Sequence, residues 1–438
     1  MHQGVFMKFT SDESMKKYQK YLMTKLSPKL QPMFIERGEG CKLWDLEGNE
    51  YLDCWAGVAV MNIGHSHPAV TKAVQEQVGK LVHVCNMIYP SHLSSELGER
   101  LAQVTPGDLS STFFANSGAE AVECGLKVAR KFTKRHEIIA LQKSFHGRTI
   151  HTLSATGIAS RRSYDLGPYV GGFAFAPSPD CYRCSLGLEY PSCGLQCAKM
   201  VEDVIHLGSS GDIAAFIAEP VQGEGGIITP PLDYFKAVKK ILDKYDILFM
   251  ADEVQTGFGR TGKMFGIENF GVNPDIMSMA KAIAGGLPMG ACIARKEIAD
   301  SFGASDHATT VGGNPLCCAA ALANLDVMKN EGLADQAAEK GKYMMKRLNE
   351  ITKDFAFVGD VRGLGLMIGI DLVKDPKTRE PDAELAGRVR ESCRKQKVLV
   401  GIGGAYGNVI RFQPPLVITK DEMEQALTAL TNAFKAEK

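Results

Sequence analysis

The stretch Asp275-Ile276-Met277-Ser278-Met279-Ala280-Lys281-Ala282-Ile283-Ala284-Gly285-Gly286 decides the architecture. Its opening residues are apolar on both faces, which predicts a strand covered on each side by other elements. The run ends in a lysine, and the glycine pair after it lets backbone or ligand approach closely. An amine at the end of a buried strand is partly desolvated, which favours its uncharged form. Such an amine can attack a carbonyl carbon. The ordinary alternative is a lysine whose stem crosses apolar surface while its charge stays in water.

Outward from this run the same pattern recurs. Ser111-Thr112-Phe113-Phe114-Ala115, Ile138-Ile139-Ala140-Leu141, Ala214-Ala215-Phe216-Ile217-Ala218 and Ile247-Leu248-Phe249-Met250-Ala251 are short apolar runs separated by helical stretches. Doubly buried strands alternating with helices predict an α/β fold with a mainly parallel sheet covered by helices. Upstream, Lys42-Leu43-Trp44-Asp45 and Glu50-Tyr51-Leu52-Asp53 flank Glu47-Gly48-Asn49, a hairpin signal. Residues 1–30 suggest an amphipathic lead-in helix. After Gly312 the chain turns helical, then carries β-like runs near 358–371 and 398–412, and closes in a helix. The expected division is an N-terminal segment 1–60 joining a small domain, a large domain 61–315, and a C-terminal small domain 316–438.

Composition narrows the function. The 438 residues are 45% apolar, enough for a large core and a smaller one. Fifty basic residues balance fifty acidic ones, which argues against nucleic acid or an anionic membrane as the main partner. No run reaches the roughly 18–20 uninterrupted apolar residues of a membrane helix. Residues 1–30 lack the apolar core of a secretory signal, so a cytoplasmic protein is the simplest expectation.

Chemistry-bearing residues collect where the apolar runs end, the place where parallel sheets bind ligands. Asn116-Ser117-Gly118-Ala119-Glu120 follows one run. Ser117 with Glu120 has capping-box spacing, and a helix N-terminus there suits a phosphate. Asp252, in Met250-Ala251-Asp252-Glu253-Val254-Gln255, can pair with a cationic ring nitrogen. Phe145-His146-Gly147-Arg148 offers an aromatic face, and Arg148 a carboxylate clamp. Glu219, and Glu224 in Gln222-Gly223-Glu224-Gly225-Gly226, are carboxylates able to pair with Arg411. Each feature has a structural reading of its own: a capped helix, a surface acid, a structural histidine.

Together these residues resemble the class III (ω-amino acid) aminotransferases, which use pyridoxal 5′-phosphate (PLP). The resemblance runs from about Pro32 to Phe434. It is carried by Asn62-Ile63-Gly64-His65-Ser66-His67-Pro68, Ser117-Gly118-Ala119-Glu120-Ala121, Phe145-His146-Gly147-Arg148-Thr149, Glu219-Pro220-Val221-Gln222-Gly223-Glu224-Gly225-Gly226, the run from Asp252 to Gly262, Lys281, and Gly312-Gly313-Asn314-Pro315. It implies PLP fold type I: a large domain with a mainly parallel sheet, and a smaller α+β domain from both termini.

The resemblance implies roles residue by residue. Lys281 would hold the cofactor as a Schiff base and shuttle the proton. Asp252 would pair with the ring nitrogen, Gln255 would approach the ring 3-oxygen, and Phe145 would stack on the ring, with His146 beside it. Ser117, Gly118 and Ala119 would hold the phosphate. Thr310 would reach the phosphate of a neighbouring subunit, implying a homodimer that could pair into a tetramer. Arg411 would take the α-carboxylate of a 2-oxo acid such as 2-oxoglutarate or pyruvate, Arg148 the distal carboxylate, and Glu219 would neutralise Arg411 when an amine end sits nearby. Val58 is a small aliphatic where ornithine and acetylornithine members commonly carry tyrosine, which looks more like the 4-aminobutyrate enzymes. The run Gly401-Ile402-Gly403-Gly404-Ala405-Tyr406-Gly407-Asn408 also looks like branches that use β-alanine or alanine with glyoxylate or pyruvate.

Cys181, Cys184, Cys193 and Cys197 cluster in a loop-like stretch. Their spacing allows a zinc knuckle, an iron–sulfur site, disulfides, or free thiols packing the loop. Some 4-aminobutyrate enzymes carry a C-x-x-C iron–sulfur site between subunits, which this spacing resembles. Three functions remain in view: a transaminase, a racemase or aminomutase on the same lysine, and a non-enzymatic metal protein. Lys281 and Asp252 at strand ends argue against the last, because a metal scaffold needs neither.

Overall fold

The computed structural model describes residues 10–23, 30–31 and 33–438. A seven-stranded sheet forms its centre. Across it lie Leu109–Ala115, Gly290–Arg295, Ile276–Met279, Leu248–Asp252, Ile213–Ala218, Glu137–Leu141 and Phe173–Ala176. Gly290–Arg295 runs antiparallel to both of its neighbours, and the pairings from Ile276–Met279 onward are parallel. Six strands therefore point one way.

The doubly apolar runs are explained by two separate cores. Phe216, Phe249, Ala251, Met277 and Met279 pack on one face of the sheet. Ala215, Ile217, Leu248, Met250 and Ile276 pack on the other. Alternate residues of a strand point to opposite faces, so a strand wetted on neither face carries no polar positions. Phe173–Ala176 and Gly290–Arg295 come from runs that the sequence reading did not single out. The second is small-residue rich because it is squeezed between neighbours: a Cβ on Gly290 would lie 2.2 Å from the Ser117 carbonyl oxygen.

A second, antiparallel sheet comprises Val358–Leu364, Met367–Asp375, Val409–Phe412 and Gly401–Gly403, with Glu380–Pro381 beside it. The hairpin read at 42–53 forms as Lys42–Asp45 and Glu50–Asp53, joined by Ile35–Glu39. Its last strand pairs in parallel with Val398–Leu399, so the smaller α+β unit draws on both ends of the chain. The expected combination, a mainly parallel sheet and a smaller α+β unit drawing on both ends of the chain, is therefore present.

Of the lead-in helix, Ser11–Tyr21 is helical and buries no residue; 1–9 and 24–29 lie outside the described residues. Strand bounds shift slightly. The run ending in Lys281 forms a strand only over Ile276–Met279. Lys281 opens a short 3-10 turn, Lys281–Ala284, at φ +47. That break turns the lysine out of the sheet ladder into the space beyond its edge.

Candidate active site

A cavity of about 400 Å³ opens at the carboxyl edge of the main sheet, within the ~300–1,000 Å³ of typical small-molecule sites. Ser117, Gly118, Ala119, Phe145, His146, Arg148, Glu219, Asp252, Gln255 and Lys281 all line it. They come from five different strand ends, which is why one cavity gathers residues more than a hundred positions apart.

At one end, the helix Gly118–Thr133 points its N-terminus at the cavity. First-turn amides have no carbonyl four residues earlier to bond, so Gly118 and Ala119 present free donors together with the positive helix end. Ser117 Oγ accepts from the Glu120 amide at 3.2 Å. The expected capping box is only half made. Glu120 returns its carboxylate to the Asn116 amide, 2.7 Å, and to the Asn116 side chain, 2.9 Å. The reason is that Asn116 also reaches Thr309 at 3.3 Å, which ties the helix start to the segment before Gly312.

At the other end, Asp252 Oδ2 accepts from His146 Nδ1 at 2.7 Å, and Oδ1 accepts from the Val254 amide at 3.1 Å. Both side chains are buried. Since a carboxylate only accepts, Nδ1 carries the proton, and His146 Nε2 has no partner among the described residues. Lys281 shares the cavity. Burial holds its amine below the ordinary lysine value, opposed by Asp252 and Glu219. Gln255 is fixed through its Oε1, which accepts from Gln413 Nε2 at 2.9 Å. A Cβ on Gly223 would fall 2.4 Å from that same oxygen. Free amides at one end, a buried carboxylate and a desolvated amine at the other, and the Phe145 ring in the same lining fit a planar, phosphate-bearing pyridinium aldehyde.

The carboxylate end corrects one expectation. Glu219 does not meet Arg411. Its two oxygens accept from the Phe145 and Gly223 amides, each at 2.9 Å, so it clamps two loops together. Burial, helped by Asp252 and opposed by His146, pushes its carboxyl up to about 7. Arg411 pairs instead with Glu224, Nη1 to Oε2 3.1 Å. It is buried on the strand Val409–Phe412, beside the Trp55 ring. Its place in the second sheet, behind the Gly223 loop, keeps Glu219 out of reach. Arg148 is exposed at the rim, 5.4 Å from the Phe145 ring centre.

One expected residue lies elsewhere, and Thr310, expected at a neighbouring subunit's site, is not in this cavity either. Val58 is half-buried in the turn Ala56–Ala59, where all four residues have positive φ, and Val60 lines the cavity in its place. Thr310 is exposed and outside this cavity. The four loop cysteines border a separate void of about 20 Å³, with Leu186, Leu188 and Leu195 around them. All are free thiols. Burial and the neighbouring thiols push Cys181 up to about 11. Among the described residues, no group of three or more His, Cys, Asp or Glu is arranged to hold a metal ion.

Four participants went unassigned in the sequence. Glu253, fully buried, accepts from the Gly266 and Ile267 amides at 2.8 Å and from Thr256. Arg260, also fully buried, donates to the carbonyls of Leu366, 3.0 Å, and Pro414, 2.6 Å, and to Asn62. Gln413 sets Gln255. Arg161 binds Glu224, and only an Arg-Arg doublet marked it in the sequence.

A model of the family described as aminotransferase class-III matches residues 24–434. The chain is 44% identical to an acetylornithine aminotransferase of Methanothermobacter thermautotrophicus, covering 91% of this chain and 93% of the relative. It is 40% identical to a leucine/methionine racemase of Thermococcus litoralis, covering 92% and 90%. Among solved structures it resembles an amine transaminase from an uncultivated Pseudomonas species in its PLP-bound form, with TM-score 0.87 and 36% identity over 92% of this chain and 95% of that one. No described helix is long and apolar enough to cross a membrane.

Proposed function

The chain belongs to the class-III aminotransferases, enzymes that work with pyridoxal phosphate, and from that premise we propose that it moves the amino group of an ω-amino acid to a 2-oxo acid. The observation that carries this reading is the Arg411–Glu224 pair. A buried guanidinium is costly without a partner. With an amine end in the cavity, Glu224 supplies the partner; with a 2-oxo acid, the substrate carboxylate does. A site serving only one kind of substrate needs no such removable counterion.

Bound pyridoxal phosphate supplies an electron sink for negative charge at the amine-bearing carbon. The chain supplies the rest. Asp252 keeps the ring nitrogen protonated, and His146 holds Asp252 in register. Free amides and Ser117 fix the phosphate, Phe145 covers the ring, and Gln255 lies against its oxygen edge. The Lys281 amine, its charged form disfavoured by burial, would take a proton from the amine-bearing carbon and return it two atoms away, across the nitrogen, as a 1,3-proton shuttle. Arg148 receives the distal carboxylate. Thr310 serves the cavity of a second subunit in a homodimer. We divide the chain into 1–60 and 316–438 for the small domain and 61–315 for the large one.

The sequence hint for 4-aminobutyrate as donor is the small aliphatic Val58, although Val60 is the residue that lines the cavity; the acetylornithine relative favours N-acetylornithine. The test incubates the holoenzyme with each donor and 2-oxoglutarate. Formation of glutamate in step with loss of donor is expected. The racemase relative motivates the second reading: inversion of an amino acid with no 2-oxo acid consumed would replace the aminotransferase assignment.

A further inference from the structure

The turn that carries Glu224 is gripped from the second sheet. Arg362 lies on Val358–Leu364, the edge strand of that sheet. Its Nε and Nη2 both donate to one acceptor, the Gly226 carbonyl oxygen, at 3.1 and 2.7 Å. Two carboxylates share the same guanidinium: Nη1 meets Asp360 at 2.8 Å, and Nη2 also meets Asp371 at 3.1 Å. Asp371 is buried and held in turn by Arg183, 2.5 Å, and Asn408, 2.7 Å. A guanidinium is rigid and planar, so carboxylates that fix its plane also fix the aim of its other donors. Here that aim is a backbone carbonyl in the loop after Ile213–Ala218.

The turn itself is closed by its own backbone. Gln222 and Ile228 exchange amide hydrogen bonds at 3.0 and 3.1 Å, and the Gly226 amide donates to the Gly223 carbonyl at 3.2 Å. It is also tied to the residues that follow Gly401–Gly403. The Gly404 amide donates to the Glu224 carbonyl at 3.1 Å, and the Ala405 amide to the Gly225 carbonyl at 3.3 Å. The far end of the turn meets Arg411, whose Nη1 donates to the Gly223 carbonyl at 3.5 Å while Nη2 donates to the Ile402 carbonyl at 3.3 Å. Two carbonyls on two different nitrogens constrain the plane of the Arg411 guanidinium. A grip on Gly226 is therefore felt at Gly223, within one hydrogen-bonded turn.

Resting on the reading of Arg411 as the clamp for a substrate carboxylate, we propose that Arg362 is a positioning residue for that clamp. It touches no substrate. It holds the Gly223–Gly226 turn against Val409–Phe412, and the turn holds Arg411 aimed in advance. An arginine free to choose among rotamers loses that freedom on binding, whereas one already oriented does not. Without the grip on Gly226 the turn would shift, the Gly223 carbonyl would withdraw, and a carboxylate would meet a less ordered Arg411. Ligands that do not use Arg411 would be indifferent. The coupling runs through the backbone of the turn and not through the Glu224 carboxylate, which has Arg161 as a further partner.

The test is the affinity of the holoenzyme for glutarate, a dicarboxylate with no keto group to react, measured by calorimetry for the wild type, Arg362→Lys, Arg411→Ala and the double variant. Arg362→Lys keeps a cation beside Asp360 and Asp371, but a single nitrogen cannot serve both carboxylates and the Gly226 carbonyl. It is expected to weaken glutarate by about fivefold or more through lost orientation of Arg411. In the Arg411→Ala background the same change is expected to alter affinity less than about twofold, because residues that act through one another do not add. Arg183→Met is the control: it removes a partner of Asp371 without touching Gly226, and is expected to lower Tm and leave glutarate affinity within about twofold of wild type. An equal loss in both backgrounds, no loss in either, or the same loss from Arg183→Met would make Arg362 a general stabilising residue and overturn the proposal. If Arg411→Ala itself left glutarate binding intact, the carboxylate clamp of the proposed function would fall, and a crystal structure of Arg362→Lys would then decide for Arg362. A Gly223 carbonyl moved beyond hydrogen-bond reach of Arg411, about 3.5 Å, would uphold the positioning role, and an unmoved one would overturn it.

Discussion

The carboxyl edge of the main sheet and the loop that leaves it one residue later bury charge in opposite ways. At the edge, Asp252 and Lys281 share a cavity with incomplete partners: His146 Nε2 is orphaned, and no hydrogen bond from the Lys281 amine to a described residue holds it. In the loop, Glu253 accepts three hydrogen bonds, and Arg260 donates to two carbonyls and Asn62, only its Nε being left without a partner among the described residues. Charge with its partners supplied by the chain stabilises a shape, whereas charge left short of partners is available to a ligand. A buried polar group left unmatched costs about 1–3 kcal/mol; His146, with its orphaned Nε2, lines the cavity, whereas Arg260 does not.

The contrast can be broken or sharpened by substitution. The largest effect is expected for Lys281→Ala, which should abolish turnover while cofactor still binds through the phosphate cup and Asp252. Retained turnover would remove the lysine from its role. Asp252→Ala should cost several orders of magnitude in kcat through loss of the ring nitrogen's counterion; a loss under about tenfold, in steady-state kinetics, would place Asp252 with the loop residues. Arg411→Ala should raise KM for the 2-oxo acid strongly and shift Tm little, since Glu224 retains Arg161. Equal damage to the amine-donor half-reaction would contradict that assignment.

On the loop side, Arg260→Met should leave Asn62, Leu366 and Pro414 acceptors unmatched and lower Tm by several degrees in thermal melts, with a much smaller effect on kcat. A large kcat loss at unchanged Tm would erase the distinction. The smallest effect concerns pH. Burial raises the Glu253 carboxyl from 4.5 to about 7, so between those values the folded chain holds a proton that the unfolded chain has released. This group's contribution therefore falls as pH rises through that window, by about 3 kcal/mol at most. Glu253→Gln should flatten the decline of Tm between about pH 4.5 and 7. Glu219, also raised to about 7, leaves a residual slope. An unchanged slope would mean Glu253 titrates normally.

The cysteine loop shows how far local spacing can be read. Four thiols in seventeen residues left a metal site, disulfides and free thiols open; among the described residues they are free thiols, and no group there is arranged to hold a metal ion. What organises the stretch is ionic. Lys143 meets Asp180 at 2.7 Å, and Arg183 meets Asp371 at 2.5 Å, which docks the loop on the second sheet. Neither partner lies nearby in the sequence, so no spacing rule pointed to them.

What the sequence determined by itself was everything governed by local periodicity and chain direction. Apolar runs such as Ala214-Ala215-Phe216-Ile217-Ala218 have no wet face, so they had to be inner strands. Parallel strands must end on one edge, so Asp252, Lys281 and Ser117 had to meet there. What only the tertiary structure decided was pairing across that edge. Glu219 and Glu224 are five residues apart and chemically alike; their chemistry left either open to Arg411, and the resemblance named Glu219, whereas the pair in the structure is with Glu224. The choice was made by the fold of the Gly223 loop, which turns Glu219 inward to two backbone amides and leaves Glu224 between Arg411 and Arg161. Hydrogen bonding acts over about 3 Å, and a linear sequence carries no record of which side chains come within that distance.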